Sequence, residues 1–226
     1  MKFTHLDFAC EVNLEEGEVQ HLIVESPYLM SELINDFKMQ MSGRSGKWIL
    51  SHEGRVLDLG QIGELIFNIF DLDINQRKVL NILFSDLKSE IIDTELLLWR
   101  SLNTDIENLI STAAENLGYE ISYDELDLKI LFKAIDLRLK DYDEPYVPYL
   151  FEYLQLISEI LKKKLFIFVN LTSFLGEKEI EYLYEEAKYR KYYLLLIDSH
   201  DVFYKSISAK KMIIDQDYCV ISPCMK

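Results

Sequence analysis

Two uninterrupted apolar strands near the end of the chain constrain its fold most strongly. The segments KLFIFVN (164–170) and YYLLLID (192–198) contain few polar residues, and the amphipathic segment EKEIEYLYEEAKYRK (177–191) separates them. A strand–helix–strand order joins parallel strands, and strands that are apolar throughout are buried on both faces. The pattern therefore predicts a parallel sheet covered by helices.

The N-terminal part of the chain adds strands of its own. VQHLIVE (19–25) is an apolar, β-branched run, and Ser26-Pro27 then supplies an N-cap and a first-turn proline for a helix. KFTHLDFACEVNL (2–14) alternates like a strand, while KWILSHE and RVLDL predict a hairpin around Gly54. KMIIDQD and YCVIS form a predicted closing strand pair, so both ends of the chain contribute to one α/β domain.

The middle of the chain has a different pattern. From Gln61 to about Leu117, beginning with IGELIFNIF, apolar residues recur every three or four positions almost without Gly or Pro. This spacing is typical of amphipathic helices, and we expect two or three of them, antiparallel or nearly so. Asn103-Thr104-Asp105 is the predicted break between two of these helices, with Thr104 as the cap.

The prolines Pro145 and Pro148 mark a second boundary, because they end an acidic segment that follows the helical stretch. We therefore predict a discontinuous α/β domain of residues 1–60 and 146–226. An inserted, mainly helical domain with an acidic segment occupies residues 61–145. The predicted class is α/β.

Composition limits the functions open to this chain. It carries 24 Lys and Arg against 39 Asp and Glu, a net charge of −15, which repels nucleic acid at long range. A DNA-binding surface here has to be a local basic strip. The three cysteines lack metal-ligand spacing, which argues against structural zinc. We see neither a signal peptide nor an apolar run of the ~20 residues that a membrane span needs, and we expect a cytoplasmic protein with reduced thiols.

Nucleotide-binding motifs are incomplete. GRSGKW (43–48) has two residues between its glycines where a phosphate loop has four, and Trp48 stands where a Ser or Thr would bind Mg²⁺. YLLLID is an apolar strand that ends in a carboxylate, Asp198. In nucleotide hydrolases, an aspartate at the end of such a strand holds Mg²⁺. His200 and Asp201 follow shortly after Asp198. A Mg²⁺-dependent nuclease or NTPase using Asp198 and Asp201 stays open as an alternative. No catalytic triad can be read, and we predict no enzymatic activity.

Acidic clusters flank a run of basic residues in the second half of the predicted helical domain. YDELD contains Asp124, Glu125 and Asp127, and DYDEP follows at 141–145. Calcium takes six to eight oxygen ligands, often from several carboxylates, although charge runs are more often solvated surface. Between the clusters lie four basic residues, Lys129, Lys133, Arg138 and Lys140. If the segment is helical, Lys129, Lys133 and Lys140 share one face.

Several segments occur in an order that resembles the small accessory adaptation protein of type II-A CRISPR–Cas loci. These segments are VQHLIVESPYLMSEL, FDLDINQRKVLNILF, YDELDLKILFKAIDLRL, KLFIFVNLTSFL, YYLLLID and KMIIDQDYCVIS. The resemblance runs over nearly the whole chain. Its most specific parts are IVESP, KLFIFVNL and IIDQDYC.

The resemblance implies a degenerate nucleotide-binding-like α/β head with an inserted helical leg. It further implies a Ca²⁺-supported ring of four protomers that threads linear duplex DNA, with Asp124, Glu125 and Asp127 in the metal-associated segment. We place the DNA-facing side on the basic residues that follow: Lys129, Lys133, Arg138 and Lys140. The predicted function is sequence-independent binding of DNA ends during spacer acquisition, together with other adaptation proteins and the guide-RNA nuclease. A protein-only scaffold with an acidic surface is the remaining alternative.

Overall fold

The computed structural model describes residues 1–7, 9–140, 146–201 and 210–221. The chain divides into two compact units, which are Met1–Leu72 with Asp143–Lys226, and Asp73–Tyr142. We call the first the α/β unit and the second the helical unit. The predicted α/β class is confirmed.

The elements of each unit are as follows. The strands of the α/β unit are β1 (Lys2–His5), β2 (Glu11–Asn13), β3 (Val19–Val24), β4 (Trp48–His52), β5 (Arg55–Val56), β6 (Gly63–Ile66), β7 (Leu165–Val169), β8 (Tyr193–Asp198), β9 (Lys210–Ile214) and β10 (Val220–Ile221). Its helices are α1 (Pro27–Met41), α2 (Leu59–Ile62), α6 (Tyr146–Leu161) and α7 (Glu177–Arg190). The helical unit contains α3 (Arg77–Thr94), α4 (Leu96–Leu117) and α5 (Leu128–Ala134). Within the described ranges, no helix combines the length and the apolarity that crossing a membrane requires.

A six-stranded sheet forms the centre of the α/β unit. Its order is β10-β9-β3-β8-β7-β6, and neighbouring strands are parallel except for β10 against β9. Every residue of β3, β7 and β8 is buried. Each Å² of apolar surface that such a layer removes from water contributes about 25 cal/mol to the free energy of folding, and this burial is the main stabilising contribution. The predicted parallel sheet is confirmed, with strands from both chain ends.

A smaller antiparallel sheet has the order β2-β1-β4-β5. The predicted hairpin is confirmed, since β4 and β5 pair antiparallel around Glu53 and Gly54, both at positive φ. Residues 2–14 form two paired strands rather than one, because a turn closed by the His5 N–H and the Cys10 carbonyl reverses the chain.

Helix α1 begins where the sequence predicts. Ser26 Oγ accepts the Leu29 N–H at 3.4 Å, and Pro27 is the first helical residue. Leu33 and Phe37 are buried with Leu29 in the core that the sheets share. The cap and the apolar spacing together fix both the start and the buried face of this helix.

The helical prediction for IGELIFNIF is wrong. Helix α2 is a single turn, and Gly63–Ile66 then forms β6, which pairs with β7 in a register that sets Leu65 opposite Ile167. The apolar spacing fits a helix, but hydrogen bonding to the open edge of β7 determines the structure. The predicted helical domain therefore included a sheet strand, whereas the helical unit itself begins at Asp73.

Helices α3 and α4 meet at Glu95, so the predicted break at 103–105 is wrong. Thr104 lies inside α4, where its Oγ1 donates to the Arg100 carbonyl at 3.1 Å. A threonine in a helix interior can donate its hydroxyl to the carbonyl four residues back. The sequence pattern alone did not distinguish such a threonine from one that caps a helix. A small core of Phe84, Leu128 and Phe132 joins α3 to α5.

Candidate nucleic-acid interface

The predicted basic strip lies partly on α5. Asp127 caps this helix, since its Oδ1 accepts the N–H groups of Lys129 at 2.8 Å and Ile130 at 3.3 Å. Lys129 and Lys133 are therefore one turn apart on the same face. Lys129 Nζ donates to Ser85 Oγ at 2.8 Å. Lys133 is exposed and, in the part of the chain that the structure describes, its side chain makes no hydrogen bond or ion pair, so its ammonium group is available to an external phosphate.

The strip does not continue along the helix to Lys140. Helix α5 ends at Ala134, and Asp136 at φ 50° turns the chain away from helical geometry. The prediction of one helical face up to Lys140 is therefore wrong. Arg138 Nε donates to Asp136 at 3.0 Å, and both Arg138 and Lys140 are exposed.

Asp127 is engaged within the protomer. In addition to the two backbone N–H groups that it caps, its Oδ2 pairs with the Lys88 ammonium. The hydrogen bond from Lys88 holds the pKa of Asp127 below its ordinary value. The oxygens that a calcium ion would use are thus already bound to donors.

Asp124 and Glu125 lie exposed in the segment before Asp127, which is neither helix nor strand. Among the described residues, no group of three or more His, Cys, Asp or Glu side chains is arranged to hold a metal ion. The carboxylates in the described part of one protomer therefore do not by themselves form a calcium site. The second acidic cluster, DYDEP, lies outside the described residues.

Asp198 is buried at the carboxyl end of β8. Its Oδ2 lies 2.7 Å from His21 Nε2 on the neighbouring strand β3, and its Oδ1 accepts the Thr172 hydroxyl at 2.8 Å. The carboxylate that would hold Mg²⁺ in a nucleotide hydrolase is therefore bound to protein on both oxygens. Sequence reasoning missed this pair, although a lone histidine within the buried strand VQHLIV needs a buried polar partner.

Asp201, the other candidate Mg²⁺ ligand, also has a protein partner. Lys211 Nζ lies 2.6 Å from Asp201 Oδ1 at the surface. Both carboxylates of the enzymatic alternative are thus engaged with side chains of the α/β unit.

The segment GRSGKW is a structural turn. Asp36 Oδ1 accepts the Lys47 N–H at 2.8 Å, and its Oδ2 accepts the Trp48 N–H at 3.0 Å. A Cβ on Gly46 would lie only 2.4 Å from Asp36 Oδ1, so this close approach requires glycine. Because a carboxylate already holds these amides, the turn is not a phosphate cradle. A phosphate loop joins a strand to the start of a helix, as the connection between β3 and α1 does. This connection consists of Glu25 and Ser26 alone, and Ser26 serves as the helix cap.

Helix α4 carries a row of exposed apolar side chains, called here the α4 apolar face. Its members recur at three-, four- or seven-residue spacing, which places them on one side of the helix. Their exposed fractions run from 37% to 71%: Leu98, Leu102, Ile106, Leu109, Ile110 and Leu117. A contiguous exposed apolar surface of this kind is typical of a protein–protein contact.

Comparisons with known proteins identify relatives of this chain. A CRISPR-associated protein Csn2 of Enterococcus faecalis is 27% identical over 128 residues, which cover 54% of this chain and 56% of that protein. The match thus spans about half the length of that relative. A CRISPR-associated protein Csn2 of Streptococcus agalactiae is 22% identical over 168 residues, which cover 71% of this chain and 72% of that protein.

Among solved structures, cbiO1 from Clostridium perfringens, part of the ABC transporter complex cbiONQ, matches with a TM-score of 0.51 and 11% identity. The match covers 95% of this chain and 83% of that one. At this identity the likeness concerns the fold alone, and it agrees with the predicted nucleotide-binding-like class. The family model described as CRISPR-associated protein (Cas_Csn2) matches residues 40–218, which is most of the chain. The protein therefore belongs to the Csn2 family of type II-A CRISPR-associated proteins.

Proposed function

We propose that this protein binds duplex DNA without catalysis during CRISPR spacer acquisition, as a ring of four identical protomers. The observation that supports DNA contact most directly is the pair Lys129 and Lys133 on α5. In a chain with a net charge of −15, Lys133 is a local attraction for phosphate, because it is exposed and has no carboxylate partner among the described residues. Arg138 and Lys140 extend the proposed contact beyond the helix.

Contacts of this kind do not read sequence. Lysine ammonium groups are point charges that bind phosphate oxygens, whereas sequence is read at base edges in the grooves. Binding is therefore the same for any sequence and weakens steeply as salt concentration rises.

Assembly is supported by the α4 apolar face. We take a second copy of the chain to pack against this face. In a homo-oligomer the same contact is repeated in every protomer, so the face is covered in each of them. An isolated protomer would leave these leucines and isoleucines in water. Other CRISPR adaptation proteins and the guide-RNA nuclease are further proposed partners.

Calcium support of the ring stays a prediction of the family resemblance. Since Asp124, Glu125 and Asp127 do not fit a calcium site within one protomer, no step of DNA binding is assigned to the ion. Absence of catalysis is supported by Asp198, whose two oxygens are bound to His21 and Thr172.

A comparison of DNA topologies tests the proposal. A closed ring loads only at a free end, so we expect binding to a linear duplex and at least a tenfold weaker affinity for the same sequence as a covalently closed circle. Native mass measured with and without EDTA identifies the tetramer and any dependence on metal. Equal affinity for both topologies would refute the ring, and DNA cleavage or ATP turnover that Asp198→Ala abolishes would favour the enzymatic alternative.

A further inference from the structure

A pocket of about 400 Å³ lies in the helical unit, beside the first half of α3 and the end of α5. Besides apolar residues such as Phe84, its lining includes two cations, two side-chain amides and a carboxylate: Arg77, Lys133, Asn75, Asn81 and Asp136. This pocket, called here the Arg77 pocket, is not explained by the proposed contact of Lys129 and Lys133 with a duplex.

The two cations in the Arg77 pocket lack protein partners. Arg77 and Lys133 are both exposed, and neither side chain makes a hydrogen bond or ion pair in the described ranges. By contrast, Lys47, Lys88 and Lys211 are paired with carboxylates. In a strongly acidic chain, two unpaired cations that line one pocket point to an anionic ligand.

The acidic residue of the pocket does not cancel this charge. Asp136 accepts a hydrogen bond from Arg138 Nε at 3.0 Å, so its negative charge already has a counter-ion. The pocket therefore retains the positive potential of Arg77 and Lys133. The Asn81 amide adds a neutral donor to the same lining.

The walls of the pocket are held together by the chain itself. Asn75 Oδ1 accepts the Leu139 N–H at 2.8 Å, and Asn75 Nδ2 donates to the Leu139 carbonyl at 3.1 Å. Phe84 packs against Phe132 of α5 with ring centroids 5.6 Å apart. A site whose walls are fixed before binding loses less entropy when it takes up a ligand.

A terminal phosphate matches this lining better than an internal one. Because a phosphate monoester has a second pKa near 6, it carries about −1.5 to −2 charge at neutral pH, whereas a phosphodiester carries about −1. The guanidinium plane of Arg77 can donate two parallel hydrogen bonds to such a group, and the Lys133 ammonium can add a third donor.

We propose that the Arg77 pocket binds the terminal phosphate monoester of a DNA end. The proposal rests on the proposed DNA-binding function and specifies its substrate as phosphorylated ends. In this arrangement Arg77 recognises the end, while Lys129 and the residues beyond α5 contact internal phosphates.

Three duplexes of identical sequence test the proposal, with 5′-phosphate, 3′-phosphate or only hydroxyl groups at their ends. Dissociation constants are measured by fluorescence anisotropy with an internal dye. We expect the protein to bind at least one phosphorylated duplex about tenfold more tightly than the hydroxyl duplex, since hydrogen bonds to charged groups contribute at this level. The preferred duplex identifies which end the pocket takes.

Arg77→Gln should abolish this preference, so that phosphorylated and hydroxyl duplexes bind with about equal affinity. The matched control Lys78→Gln should keep the preference. Lys78 is the next residue, is also exposed and unpaired in the described structure, and does not line the pocket. Equal affinity for all three duplexes, or equal loss of preference in both variants, would overturn the pocket and leave the proposed DNA binding intact. Failure to bind any duplex would overturn both.

Discussion

Buried polar side chains decide several local features at the scale of single residues. His21 and Asp198, with side chains 2% and 3% exposed, face each other across β3 and β8. Asp36 similarly gathers the amides of the GRSGKW turn. Residue types alone identified Asp198 as a strand-end carboxylate. The partner of each carboxylate could not be predicted, because pairing depends on strand order and register.

His21→Leu tests the role of the buried pair in stability. The substitution leaves the Asp198 carboxylate in the core with Thr172 as its remaining partner, and removing one member of a buried pair costs about 3 kcal/mol or more. We expect a drop of this size in the unfolding free energy measured with urea. His21→Leu/Asp198→Asn should recover part of it, since a neutral amide costs less to bury than a carboxylate. The control is His52→Leu, at an exposed histidine, which should change stability little. A destabilisation no larger than in this control would contradict the account.

At the scale of elements, apolar periodicity predicted most of the α/β unit. It failed where the same residue pattern is compatible with two different local structures. The fully apolar β7 and β8, the capped α1 and the β4–β5 hairpin were predicted from sequence. Residues 63–66 have helical spacing but pair with β7. Similarly, polar residues at 103–105 resembled a helix end although α4 runs through them. Pairing with the distant β7 determines the first case. In the second case Thr104 bonds to the Arg100 carbonyl four residues back, which a helix interior permits.

Asn103 offers a test of the continuous α4. It is 7% exposed, and its Oδ1 is buried without a hydrogen-bond partner in the described structure. Because an unsatisfied buried polar atom costs about 1–3 kcal/mol, Asn103→Leu should raise the unfolding free energy by about 1 kcal/mol. Thr104→Ala, at an exposed neighbour, should have little effect. If residues 103–105 were instead a capped break, Thr104→Ala would be the more destabilising change in thermal unfolding.

At the scale of the whole molecule, the proposed assembly has to cover the α4 apolar face. Leu102→Glu/Leu109→Glu places two charges on this face, two turns apart. We expect a native mass below that of the wild-type protein, for which a tetramer is proposed, with helicity preserved in circular dichroism. Leu6→Glu/Val56→Glu is the matched control, since both residues are exposed and lie in the α/β unit. A variant at the α4 face that keeps the wild-type mass would contradict this assignment.

Whole-molecule charge opposes DNA binding, so the central claim is that local cations on α5 overcome a net charge of −15. The most direct measurement compares Lys129→Glu/Lys133→Glu with Lys178→Glu/Lys188→Glu, which changes charge equally but at exposed sites on α7. The measured quantity is the slope of log K against log salt concentration for one linear duplex.

We predict that the α5 variant binds the duplex more weakly. The magnitude of its slope should fall by about 0.9 for each phosphate that the protein no longer neutralises, whereas the α7 variant keeps the wild-type slope. An equal reduction of affinity and slope in both variants would show that DNA responds to net charge alone and would contradict the account.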